Sequence, residues 1–149
     1  MSELSNEAVK YIEQSKLGWL ITVGGDKKPY IRPMGAFFNE GLDLYFLTAK
    51  ETEKVKHINE NPTVTFYFEN PGQPYDTFKS VAVSGEAIEV LEENDEFKKA
   101  VEGISIRYPV IKESVENGNI KSSSIYKINA NFIKVADYTK LPKELSEDI

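Results

Sequence analysis

The chain has no cysteine and a single histidine, His57, in 149 residues. Without cysteine there is no disulfide framework, no thiolate nucleophile and no cysteine-based zinc site. One histidine also excludes multi-histidine zinc centres and the His-Glu-x-x-His helix. Neither Gly-x-Gly-x-x-Gly nor Gly-x-x-x-x-Gly-Lys-Ser/Thr occurs, so no dinucleotide fingerprint and no P-loop is available. A Ser-His-Asp triad would need His57, yet no serine sits in a Gly-x-Ser-x-Gly elbow. No apolar run approaches the ~20 residues that cross a bilayer. Positive charge is scarce as well: 18 Lys and Arg against 24 Asp and Glu leave a net charge of -6. Nucleic-acid binding, which needs a cationic stripe, is not expected. The polar, acidic opening Met1–Glu7 is not a signal peptide, and a cytoplasmic protein is expected.

What is present suits one domain over 1–149 with an aromatic, sheet-forming core. Apolar residues make up 40% of the chain, with eight Tyr and eight Phe but only two Met. Aromatic and β-branched residues favour strands. Ser5 to Lys16 reads as a helix with Ser5 as its cap and Ala8, Val9 and Ile12 on one face. Leu17–Val23, centred on Trp19, reads as a buried strand in which Trp19 is core. A glycine-rich hairpin leads into a second strand, Pro29–Phe38. Pro33 cannot donate to a ladder, which makes that strand an edge or locally irregular. Beside Arg32, such an irregularity is either a ligand site or simply a bulge.

Asn39-Glu40-Gly41 turns the chain into a third strand, Leu42–Leu47. The short helix that follows must stop before Asn61-Pro62. Its start has two candidates: Thr48 with Glu51 as a capping box, or Thr52 as the cap of a helix beginning at Glu53. The second is favoured, because it alone lets Thr52 and Lys54 serve one ligand. Thr63–Phe68 alternates as a fourth strand, residues 69–77 form a loop, and Ser80–Leu91 is a fifth strand bulged at Gly85. Asn94–Val101 is read as a helix ended by Gly103. Residues 104–124 carry no clear pattern, and Arg107 and Tyr108 are placed in a packed loop rather than reaching across a dimer to line a substrate pocket. Ile125–Tyr138 is a sixth strand, and residues 140–149 are a frayed tail. Six strands with hairpin connections and few helices point to a mainly β, antiparallel barrel.

Arg32, Thr48, Thr52 and Lys54 gather cationic and hydroxyl donors around one strand pair, which suits a phosphate-bearing ligand. The alternative is that Arg32 and Lys54 are ordinary surface ion-pair partners of Glu51 or Glu53. His57 is read as a surface or interface residue rather than a haem ligand or proton donor.

The order Arg32-Pro33-Met34, Leu47-Thr48, Thr52, Lys54, His57-Ile58-x-x-Asn61-Pro62 resembles the FMN-binding split-barrel family typified by pyridoxamine 5′-phosphate oxidase, in particular its small general-stress-protein type. The likeness runs from the Trp19 strand to about Gly85. It implies a six-stranded antiparallel split β-barrel, homodimeric, with FMN at the subunit interface. It implies that Arg32, Thr52 and Lys54 hold the phosphate and that Pro33, Met34, Leu47 and Thr48 run along the flavin ring. The oxidase's second basic residue is here Glu53, and its flavin-facing glutamine aligns roughly with Ser80. The substrate-holding tryptophan and arginine near its C-terminus have no match in Tyr126–Tyr138. The expected function is therefore a flavin-dependent oxidoreductase for another small substrate, with an electron donor such as a nicotinamide nucleotide. A non-catalytic flavin carrier, buffer or sensor, or a barrel holding haem or a deazaflavin, is the alternative. No side chain stands out as a catalytic acid or base.

Overall fold

The computed structural model describes all of residues 1–149. Eight strands form one antiparallel sheet: β1 (Gly18–Val23), β2 (Pro29–Met34), β3 (Phe37–Glu40), β4 (Asp43–Ala49), β5 (Thr63–Phe68), β6 (Lys79–Val90), β7 (Ser123–Asp137) and β8 (Glu144–Asp148). Four helices accompany them: α1 (Glu3–Gln14), α2 (Glu53–Glu60), α3 (Asp95–Arg107) and α4 (Val110–Glu116). None is long and apolar enough to cross a membrane.

The sheet order is β2-β1-β5-β6-β7-β4-β3, with β8 added beside β7. Its two ends, β2 and β3, are consecutive in the chain and separated only by Gly35 and Ala36. Two residues span at most about 7 Å, so the sheet has to curl until its ends nearly meet. It forms a barrel with one unzipped seam. The expected six strands become eight for two reasons: the second strand breaks at that seam, and the tail adds one.

The break falls at Gly35–Ala36 and not at Pro33, which stays in register opposite Trp19 on the edge strand β2. An edge is where a proline costs no ladder bond. The bulge expected at Gly85 is present, as a register shift between Ser84 and Gly85. A Cβ on Gly85 would lie 2.0 Å from the carbonyl oxygen of Asn129, so the strands approach there as only glycine permits.

Inside the barrel, Leu20, Phe37, Phe46, Phe66, Phe68, Val83 and Ile133 pack with Ala8 and Ile12 of α1 and Ile58 of α2. Phe66 and Phe68 stack at 4.8 Å. A second core lies outside the barrel, where Tyr45, Val90 and Ile125 meet Ala100 and Ile104 of α3, Ile111 of α4 and Ile120. β4 is thus buried on both faces, while β1 alternates between buried and half-buried residues. Trp19 is half-buried on the outer side of β1 and does not belong to either core.

Several boundaries differ from the sequence reading. The first helix begins at Glu3, capped by Ser2, whose hydroxyl accepts from the Ser5 amide at 3.0 Å. α3 runs through Gly103 to Arg107; the glycine serves packing there, since the Phe38 ring presses on that position and a Cβ would lie 2.3 Å from it. Arg107 closes α3 instead of standing in a loop. Its guanidinium lies 4.1 Å over the Phe37 ring and donates to the Ser15 and Ile12 carbonyls at the end of α1. The tail is not frayed. β4 covers β7 only as far as Ile128, and β8 takes the open edge from Phe132 to Ala136. Glu147 then accepts from the Ser2 hydroxyl at 2.6 Å.

Candidate functional site

The seam between β2 and β3 opens into a cleft of about 380 Å³ lined by Pro33, Met34, Gly35, Ala36, Leu47, Thr48, Ala49, Thr52, Lys54, Tyr108 and Ser123. Six of the seven residues singled out from the sequence, Pro33, Met34, Leu47, Thr48, Thr52 and Lys54, are therefore on its walls. The seventh, Arg32, is not a wall residue. It stands on β2 close enough to Lys54 for its charge to push the lysine's pKa down.

The strand break makes this cleft. Ala36 still accepts a hydrogen bond from the Leu47 amide at 3.1 Å, so β3 stays zipped to β4 while β2 departs. Gly35 has no neighbour within 4 Å of where a Cβ would lie, so the floor is open there. One wall is mainly apolar, with Pro33, Met34, Ala36 and Leu47. The other end carries Thr48, Thr52 and Lys54.

α2 begins at Glu53 with Thr52 as its cap residue, and Thr48 belongs to β4; this resolves the two starts the sequence allowed. Thr52 does not cap the helix with its side chain. Its hydroxyl contacts the Ala49 carbonyl and the Thr48 hydroxyl, both at 3.3 Å. The first amides of α2 thus have neither an intrahelical partner nor a side-chain cap, and they sit where the helix dipole is positive.

The electrostatics follow from burial. Lys54 is held below the ordinary lysine range, first by burial and second by the Arg32 charge. Arg32 is lowered by burial, partly offset by Glu53. No ion pair in the chain involves Lys54. Arg32 has one loose carboxylate partner, Glu53 at 3.6 Å, whose side chain is 64% exposed. Two half-buried cations, close enough for the Arg32 charge to act on Lys54 and with little compensation, form an arrangement that an anion would relieve.

Arg32 also donates from Nη1 to the Thr22 hydroxyl at 2.7 Å, and Thr22 lies 3.0 Å from Nδ1 of His57. His57, expected at the surface, is only 6% exposed. It is on the barrel-facing side of α2, against the Tyr30 ring at 4.3 Å between centroids. Tyr108, expected in a packed loop rather than on a pocket wall, lines the cleft, and Gly35, Ala36, Ala49 and Ser123 line it without having been singled out. Tyr108 and Ser123 fall within 104–124, where the only local signal was Pro109, which forces the chain to leave the helix at Tyr108.

The family model described as pyridoxamine 5′-phosphate oxidase matches residues 4–133. General stress protein 26 of Bacillus subtilis is 37% identical over 62 residues, which cover 42% of this chain and 43% of that protein. The chain thus matches less than half the length of this curated relative. Among solved structures, a protein related to general stress protein 26, of the pyridoxinephosphate oxidase family, from Clostridium acetobutylicum superposes with a TM-score of 0.71. It is 18% identical, with 99% of this chain and 95% of that one covered. A heme binding protein from Mycobacterium smegmatis gives a TM-score of 0.80 at 13% identity, covering 99% of this chain and 59% of that one. The structural likenesses establish the split-barrel fold. The family match covers most of the chain and includes every residue that lines the cleft, so the chain belongs to the pyridoxamine 5′-phosphate oxidase family.

Proposed function

We propose that the seam cleft binds FMN and that the protein is a cytoplasmic, flavin-dependent oxidoreductase acting on a small substrate. The observation that carries this reading is the pair Arg32 and Lys54. A phosphate monoester brings nearly two negative charges to a protein already at -6, so it can bind only where cations are not already neutralised. Lys54 is such a cation. The free amides at the start of α2 add donors around the same point, and the hydroxyls of Thr48 and Thr52, which turn to the Ala49 carbonyl at 3.2 and 3.3 Å, would join them by rotating towards the anion.

The apolar wall of Pro33, Met34, Ala36 and Leu47 offers a floor for a flat ring. The cleft volume of about 380 Å³ lies at the lower end of ligand pockets, ~300–1,000 Å³. A second copy of the chain would close it. Ile106 is 81% exposed and Val110 45%, and both flank Tyr108 at the rim, an apolar border suited to a homodimer. When bound, the flavin would supply two-electron chemistry, taking a hydride from a donor such as a reduced nicotinamide nucleotide and passing two electrons to the substrate. The chain's own part is to bind, orient and exclude water. No acid or base is assigned, because none lines the cleft beside the ring floor except Tyr108.

Haem fits this chain less well. The one histidine is boxed in by Tyr30 and engaged with Thr22, and a Cβ on Gly24 would lie 3.0 Å from its Nε2. It could not reach an iron in the seam cleft without leaving its packing.

The test is a titration of the purified protein with FMN, riboflavin and haemin, read by absorbance and flavin fluorescence, with solution mass measured alongside. FMN binding much tighter than riboflavin, on a dimer, supports the reading. A protein that ignores FMN, or develops a Soret band instead, overturns it. Reduction of the bound flavin by NADH or NADPH, and reoxidation by candidate acceptors, separates an enzyme from a carrier.

A further inference from the structure

The Arg32 guanidinium is held by a contact that reaches back into the barrel. Arginine can only donate, so the Thr22 hydroxyl must accept from Nη1 at 2.7 Å. Thr22 is fully buried. Its single O–H is then left for its other neighbour, Nδ1 of His57 at 3.0 Å. That makes Nδ1 the acceptor and puts the ring proton on Nε2. A hydroxyl can accept twice, so the direction towards His57 follows from the arginine together with the burial of the Thr22 O–H, which has no acceptor other than Nδ1.

The row is also anchored at its far end. The His57 ring lies between Tyr30, at 4.3 Å, and Gly24, where a Cβ would come within 2.7 Å of Cδ2. Tyr30 is fixed in turn by donating to Asp26 at 2.6 Å. Arg32 meanwhile has a competing partner, Glu53, at 3.6 Å. Without Thr22 the guanidinium would keep only that carboxylate and would turn towards it.

From this geometry we infer that His57 and Thr22 are positioning residues for anion binding: His57 orients the Thr22 hydroxyl, which holds the Arg32 guanidinium so that its contact with Glu53 stays loose, at 3.6 Å, and its charge remains available to an anion. The inference rests on the reading of the cleft as a phosphate site. It explains why a polar pair, Thr22 and His57, is buried where the surrounding barrel is apolar. A merely structural pair would serve as well with the proton on either ring nitrogen.

Two measurements test it. The first needs no ligand: with one histidine in the chain, the ¹⁵N shifts of the imidazole are unambiguous. They should show the neutral ring protonated at Nε2 with Nδ1 accepting; an Nδ1–H tautomer overturns the inference. The second compares FMN with riboflavin, which lacks the phosphate. Thr22→Val should weaken FMN about tenfold, the size expected for a lost hydrogen bond to a charged group, and leave riboflavin unchanged. Thr22→Ser should restore FMN affinity. In an Arg32→Ala background Thr22→Val should have no further effect.

Equal losses for both flavins, no loss at all, or an undiminished loss in the Arg32→Ala background would each overturn the positioning role. Should wild-type protein bind the two flavins equally, the phosphate reading itself fails, a result that the variants do not affect. His57→Asn, whose amide oxygen can accept from Thr22, should keep more FMN affinity than His57→Leu. Because Thr22→Val nearly preserves shape, the comparison survives even if His57→Leu does not fold.

Discussion

Two half-buried lysines, one on β7 and one on α2, meet opposite fates. Lys127, on β7, lies 3.2 Å from Glu96 and 3.7 Å from Asp43, with its ammonium 5.7 Å from the centre of the Tyr45 ring. Burial lowers its pKa, but the Glu96 hydrogen bond and the two carboxylate charges outweigh that and leave it raised. Lys54, at the start of α2, has no carboxylate and has Arg32 for a neighbour, and its pKa is lowered. The first lysine completes its own neutralisation and pins β4, β7 and α3 together. The second leaves its charge to be met from outside. A cation that the fold does not neutralise marks a binding site better than a cation alone does.

The largest expected effect comes from Lys54→Glu. It removes an attraction and puts a like charge against the phosphate, so FMN affinity should fall by several kcal/mol, about a hundredfold or more. Thermal stability should hold, since no ion pair is broken. FMN affinity unchanged in this variant would mean that the phosphate lies elsewhere and that the comparison is empty.

Lys127→Met should do the reverse. It leaves Glu96 and Asp43 without their shared cation, though Glu96 keeps the Tyr45 hydroxyl at 2.6 Å. For partly exposed pairs a loss of about 1 kcal/mol in denaturant unfolding is reasonable. FMN affinity should stay within about twofold. If Lys127→Met costs as much FMN binding as Lys54→Glu, the two lysines are not different in kind.

How much of this contrast was legible in the sequence depends on the distance over which it was written. Thr52 and Lys54 could be placed because the helix signals are local: a threonine ahead of Glu53 and the Asn61-Pro62 stop fix the phase of α2. The seam was not legible, because nothing near Gly35 announces that β2 and β3 are the two ends of one closed sheet. The Lys127 cluster draws Asp43, Glu96 and Lys127 from three elements and has no local pattern at all. His57 looked like a surface residue for the same reason. Its burial is set by Gly24 and Thr22, more than thirty positions away in the chain. The tail Glu144–Asp148 is acidic and reads as disordered, but an open edge on β7 recruits it as a strand. Local chemistry was readable, and whatever depended on barrel closure was not.

A smaller effect sharpens the contrast from within the site. Glu53 is the one carboxylate that approaches Arg32, and it stands where the oxidase itself has a basic residue. Glu53→Gln removes both the competition for the guanidinium and a like charge near the phosphate. Because Glu53 is largely exposed, the gain should be modest, up to about fivefold tighter FMN. Looser binding would show that Glu53 positions Arg32 instead of competing for it.

The smallest effect is in pH dependence, and its sign differs between free and bound protein. In free protein the folded pKa of Lys54 lies below its unfolded value. Between those two values the unfolded chain binds more protons, so this group makes stability rise as pH rises through that window. A bound phosphate reverses the shift and carries the folded pKa above the unfolded one. The contribution is then fully present below the unfolded pKa and is lost as pH climbs through the raised value. The increase in Tm that FMN produces should therefore shrink on the alkaline side, beginning at the lowered pKa of the free protein, below the ordinary lysine range. Lys54→Met should flatten that dependence and Lys127→Met should leave it intact. An FMN-induced Tm shift with the same alkaline decline in wild type and Lys54→Met would locate the titrating cation somewhere other than Lys54.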